Sequence, residues 1–199
     1  MIKRVFDFVV AVVGLLFAIP LCAGIVMAIA LEGNRQVFFR QVRVGRFGHS
    51  FRILKFRTMI VGASEVGPSI TVDADARVTR VGRFLRRWKL DEIPQLWNVI
   101  LGEMSLVGPR PEVPEFVALY PPDLRAQILS IRPGITDNAS VQFRHENEFL
   151  RGALDPRETY VKTILPLKLE LYVDYVQKRS FWGDLRILLR TAKRVILAG

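Results

Sequence analysis

A chain of 199 residues with 50% hydrophobic residues and a mean hydropathy of +0.24 can bury one substantial core, and it carries more apolar residues than a soluble domain of that size needs. Its formal charge of +10 suits anionic partners: a membrane surface, phosphorylated substrates or nucleic acid. A single cysteine, Cys22, excludes a disulfide framework, and His49 and His145 stand alone without ligand-spaced neighbours, so zinc chemistry is not expected.

The apolar surplus lies at the start of the chain. Phe8–Leu31 reads FVVAVVGLLFAIPLCAGIVMAIAL without one charge, and a helix of that length reaches roughly 36 Å, enough to cross a bilayer. The run continues past the small residues Ala18 and Ala23, which reads as a retained anchor rather than a cleaved signal. Pro20 near its middle removes a helical hydrogen bond and predicts a kink. Lys3 and Arg4 precede the run, and Arg35, Arg40, Arg43 and Arg46 follow it. Basic flanks favour the cytoplasmic side, so a re-entrant helix that turns at Pro20 and leaves by the face it entered satisfies both ends. A kinked spanning helix is the alternative, because membrane spans tolerate proline.

Downstream, VFFRQVRV and HSFRILKFRTM alternate with period two around GRFG and predict a β-hairpin turning at Gly45 and Gly48. Val61 to Ala76, rich in Gly, Ser, Asp and Ala, reads as a loop. In RVTRVGRFLRRWKLDE, Arg77, Arg80, Arg83 and Arg86 recur every three residues while Val81, Phe84, Leu85 and Trp88 keep helical spacing, which predicts a basic amphipathic helix. Such a helix lies on a membrane surface or forms the solvated face of a core helix. Pro94 marks the start of the next helix, PQLWNVILG, so Asp91 and Glu92 fall at its positive end. Adjacent side chains diverge by about 100° inside a helix, whereas a junction can turn both acids toward one pocket.

SLVGPRPEVPEF holds Arg110 between Pro109 and Pro111, and Arg132 sits beside a second proline turn in IRPGIT. The segment from Glu148 to Val176 reads as helical around Pro156 and Pro166. The final helix sets Trp182, Leu185, Leu188, Leu189, Ala192, Val195 and Ile196 on one stripe, a second interfacial candidate. The expected architecture is α+β and mostly helical: an anchor over residues 1–34, then one catalytic unit over residues 35–199 with a small β-hairpin and amphipathic interfacial helices.

A carboxylate among arginines on a membrane-held chain suits phosphoryl chemistry. Cations and a hard metal such as Mg²⁺ offset the repulsion between an anionic nucleophile and a phosphate, and an aspartate can divide the exchange in two through an acyl phosphate. KFRTM, TRVGRFLRR, LDEIPQLWNVILGEMSLVGPRPE and RPGIT, in this order behind an apolar run, resemble the bacterial sugar transferases known as small monotopic phosphoglycosyl transferases. The resemblance covers essentially the whole chain. It implies transfer of a sugar 1-phosphate from a UDP-sugar to undecaprenyl phosphate with release of UMP, by a ping-pong route on the cytoplasmic face of the bacterial inner membrane. It further implies membrane lipid as a partner and no nucleic acid.

Residue by residue, the resemblance makes Asp91 the nucleophile and a Mg²⁺ contact, and Glu92 its partner, assisting the acceptor phosphate or the metal. Arg86 matches a phosphate-binding position, Lys55, Arg57 and Arg110 lie near the nucleotide-sugar, and Pro20 is the break of a re-entrant helix. Relatives continue RPGIT as GLAQVNGRN, whereas this chain reads DNASVQFRHENEF; Arg144 there is a phosphate or uridine contact or a surface arginine. The competing reading is a membrane-tethered basic module that binds without turnover.

Overall fold

A computed structural model describes residues 2–33, 36–63, 75–143, 150 and 152–197. The first element, α1 (Ile2–Leu31), is one helix whose backbone continues through Pro20. It is long and apolar enough to cross a membrane, and only 11% of its most apolar window is buried, so it does not serve as an ordinary core helix. Asp7, Ala11, Ile25 and Ile29 are its buried residues, and their spacing places them on one stripe. That stripe rests on the rest of the chain. Ala11 packs with Val99, Met104 and Leu106, while Ile25 and Ile29 pack with Phe56 and Leu85.

Polar contacts hold both ends of α1 to the same body. Lys3 donates to Asp184 at 2.5 Å, Ser105 donates to Asp7 at 2.7 Å, and Arg4 donates to the carbonyls of Val99 and Ile100 at 2.6 and 3.0 Å. At the far end the Glu32 carboxylate accepts from the Val81 amide at 2.9 Å.

The expected hairpin is present. Strands β1 (Phe38–Val44) and β2 (Ser50–Phe56) pair antiparallel, with Phe38 opposite Phe56 and Val44 opposite Ser50. In the turn between them Gly48 takes the left-handed conformation at φ 82°, but its companion is Phe47 at φ 58° rather than Gly45. The Arg46 guanidinium lies 4.3 Å from the Phe47 ring centroid, a cation–π contact that helps to hold this unusual seat. Of the expected loop, residues 64–74 lie outside the described residues.

Helix α2 (Arg80–Arg87) is capped by Thr79, whose hydroxyl accepts from the Gly82 amide. It is followed by α3 (Gln95–Leu101). Strand β3 (Ser105–Val107) then pairs in parallel with β4 (Gly134–Thr136). Sequence reading gave both segments only as proline turns; three-residue strands are too short to show a period. Between them lie α4 (Pro114–Val117) and α5 (Pro122–Ile128). After β4 comes α6 (Asn138–Gln142), then α7 (Pro156–Thr159), a π-helical turn over Tyr160–Ile164, α8 (Leu165–Lys178) and α9 (Phe181–Leu197). Mostly helical with small sheets, this matches the expected class. The inward side of α9 is set by Lys3 and Tyr175, which recruit Asp184. Asp184 and Ile187 are buried, while Trp182 and Leu189 stand 69% and 63% exposed.

Candidate active site

The two acids lie in a short 3-10 turn, Leu90–Glu92, between α2 and α3. The residue before it, Lys89, is left-handed at φ 56° and ψ 21°, a conformation costing about 1–2 kcal/mol for a residue with a side chain. That reversal ends α2 and aims both carboxylates inward, as the junction argument expects. Asp91 is 7% exposed, and the Glu92 side chain 11%.

Glu92 is saturated by cations. Lys55, from β2, donates to its Oε1 at 2.7 Å; Arg110, from the turn after β3, contacts the same oxygen and reaches Oε2 at 3.3 Å. Burial pushes Glu92 up, but Arg110 and then Lys55 overcome it and hold its carboxyl well below the usual carboxylate range. Glu92 in turn holds the Arg110 guanidinium above its ordinary value. Burial pulls Lys55 down despite Glu92.

Asp91 is different. Burial raises its carboxyl, against the opposing pull of Lys55. Its Oδ1 is sealed from solvent and has no hydrogen-bond partner; Oδ2, also without a partner, is not sealed. Arg86, from α2, donates to Thr58 Oγ1 at 2.8 Å and feels the Asp91 charge. Lys55, Arg86, Asp91, Glu92 and Arg110 are therefore gathered in one place. Arg57 is not: strand β2 ends at Phe56, and its guanidinium turns to Gln36, donating to the backbone and side-chain oxygens at 2.7 and 2.9 Å. Arg144 lies outside the described residues.

Three further residues shape the site. Thr58 sits inside KFRTM and steers Arg86. Asn98, 2% exposed, docks α3 on β2 by accepting from the Leu54 amide at 3.0 Å and donating to the Arg52 carbonyl at 2.9 Å. Gln95 is wholly buried, and neither amide atom has a partner, a cost of about 1–3 kcal/mol for each unsatisfied group. Gln95 and Asn98 are polar positions on one face of an otherwise apolar helix, a signal visible in the sequence. For a divalent cation, the described residues hold no cluster of three His, Cys, Asp or Glu side chains. Glu92 is occupied, and Asp91 Oδ2 is open. This fits Mg²⁺, which typically takes one or two carboxylates together with phosphate and water.

The profile of the bacterial sugar transferase family matches residues 1–198. The chain belongs to the bacterial sugar transferase family. Among relatives, the UDP-glucose:undecaprenyl-phosphate glucose-1-phosphate transferase of Caulobacter vibrioides is 38% identical, covering 98% of this chain and 69% of its own length. The UDP-N-acetylgalactosamine-undecaprenyl-phosphate N-acetylgalactosaminephosphotransferase of Aeromonas hydrophila is 36% identical over 100% of this chain and 44% of its own. The UDP-glucose:undecaprenyl-phosphate glucose-1-phosphate transferase of Escherichia coli K12 is 35% identical over 96% and 39%. The chain thus spans less than half the length of two of these three family members.

Proposed function

We propose that this chain is a sugar-1-phosphate transferase, moving a sugar 1-phosphate from a UDP-sugar to undecaprenyl phosphate and releasing UMP, at the first membrane step of glycoconjugate synthesis. The observation that carries this reading is Asp91: a buried carboxylate with no protein partner, beside Lys55 and Arg86, in a chain of this family. In the first half-reaction an Asp91 oxygen bonds to the sugar-linked phosphorus; the bond from that phosphorus to the bridging oxygen breaks, and its electron pair leaves with UMP. In the second, an oxygen of undecaprenyl phosphate attacks the same phosphorus and the Asp91 carboxylate is released.

Lys55, Arg86 and Arg110 line the path of the diphosphate and offset its charge against that of Asp91. Both oxygens of Glu92 already carry cations, so its role is to hold Lys55 and Arg110 in place. Asp91 would hold Mg²⁺, which when bound would supply charge neutralisation for the phosphates and the leaving group. These relatives are named as transferases, which lends no support to a binding module without turnover.

Residues 1–34 act as the anchor and 35–199 as the catalytic part, on the cytoplasmic face of the bacterial inner membrane. Both ends of α1 bond to one basic body through Lys3 and Glu32, which supports a monotopic helix that does not carry its ends to opposite sides. Pro20 faces outward on that helix, whose backbone runs on through it, so the monotopic arrangement rests on the two held ends rather than on a break at Pro20. The test of function is a panel of UDP-sugars incubated in detergent with Mg²⁺ and undecaprenyl phosphate. Release of UMP with at least one donor is expected, together with a sugar-phosphate adduct on Asp91 by intact mass when donor alone is supplied. No release across the panel would overturn the reading.

A further inference from the structure

Between the 3-10 turn and α3 the chain keeps helical torsions, Ile93 at φ −51° and ψ −42° and Pro94 at φ −61° and ψ −16°, while its amides bond three residues back: Ile93 to Leu90, Leu96 to Ile93 and Trp97 to Pro94. Asp91 and Gln95 are four residues apart on this backbone, and with the tighter winding of a 3-10 turn their side chains leave neighbouring sides of one short helical stretch. Both are buried, and both end in polar atoms that have no partner: Oδ1 of Asp91, and the oxygen and nitrogen of the Gln95 amide.

Other polar groups beside them are committed. Asn98, the next polar residue on α3, is bonded to Leu54, Arg52 and Glu103. Glu92 is occupied by Lys55 and Arg110. An amide donor and an unpaired carboxylate oxygen are thus both sealed within one turn of the same short stretch, and the Gln95 side chain is long and flexible enough to turn toward the acid. Burying an amide this way works against stability, so the residue is best explained by what it does for the neighbouring acid.

We propose that Gln95 is a positioning residue for the nucleophile: its amide nitrogen donates to the inner oxygen of Asp91, Oδ1, and thereby leaves Oδ2 as the oxygen that attacks phosphorus. The inference rests on the transferase reading above. When the Oδ2–phosphorus bond forms and the electron pair departs with UMP, Oδ1 becomes the carbonyl oxygen of the acyl phosphate and still accepts the same hydrogen bond. Gln95 therefore fixes the carboxylate plane through the first half-reaction without touching the donor.

The test uses the full chain in detergent with Gln95→Met, which keeps length and volume and removes both amide atoms, and Gln95→Leu beside it. Adduct formation from a UDP-sugar that the wild-type chain accepts is followed by rapid quench over a range of donor concentrations, and thermal unfolding is measured on the same samples. Both variants are expected to remain folded, with a cooperative unfolding transition above the assay temperature. Their maximal rate of adduct formation should fall at least tenfold, in the direction of the about hundredfold loss that a misplaced reacting group costs, with the half-saturating donor concentration changed by less than threefold. An unchanged maximal rate would overturn the proposal. So would a shift confined to half-saturation, which would mean that Gln95 contacts the donor. If the wild-type chain itself forms no adduct, the transferase reading fails instead, a result that the variants' comparison cannot mimic.

Discussion

At the scale of single residues, the neighbouring acids have opposite electrostatic fates. Burial raises Asp91, so its ionised form costs stability at neutral pH. Asp91→Asn is expected to remove the covalent adduct and all UMP release while the unfolding temperature in detergent stays level or rises. Glu92 is the reverse case, held low by Arg110 and Lys55. A depressed carboxyl contributes stability above its unfolded value, near 4.3 for a free glutamate, and that contribution is lost as pH falls through the lower folded value. Glu92→Gln leaves two buried cations without a counter-charge. It should cost about 3 kcal/mol in denaturant unfolding at pH 7, and the loss relative to wild type should narrow in strongly acidic buffer. If the gap instead widens on acidification, Glu92 does not carry the depressed carboxyl described above.

At the scale of elements, the site depends on close approach between α2 and the segment after β2. A Cβ built on Gly82 would lie 2.1 Å from the Thr58 carbonyl oxygen and 2.7 Å from its carbon. Those are backbone atoms, so the helix itself must move. Thr58 and Arg86 are bonded across this contact, and Gly82→Ala therefore displaces a site cation as well as the packing. The expected result is a loss of about 1–3 kcal/mol in unfolding together with a reduced rate of UMP release. Wild-type activity in the variant would mean that Arg86 does not depend on this seat. The hairpin and α2 were legible in sequence because alternation and helical spacing are local. The parallel pairing of β3 with β4 was not, because it depends on two distant proline turns meeting. The inward face of α9 escaped for a related reason: Asp184 is drawn in by Lys3, a partner 181 residues away.

At the scale of the whole molecule, α1 is both the most apolar segment and part of the packing around the site. Its inner stripe meets two core clusters, and Arg4 bonds the carbonyls at the end of α3, whose beginning carries Gln95. Its outer face leaves Phe17 and Leu31 each 82% exposed, suited to lipid. With both ends held to one body, reporters placed at residue 1 and at residue 199 should be equally protected from membrane-impermeant reagents in intact cells. Opposite protection would require a crossing helix and would refute the monotopic arrangement.

From sequence alone came the apolar run, the hairpin, the basic helix and the gathering of acids and arginines near residue 91, since each is written in short-range spacing or in a contiguous motif. Tertiary structure alone decided that Arg57 faces away, that Glu92 is saturated while Asp91 is left unpaired, and that Gln95 is sealed with its amide unpartnered. Those outcomes depend on which groups from distant segments reach a buried atom first, and no local pattern records that competition.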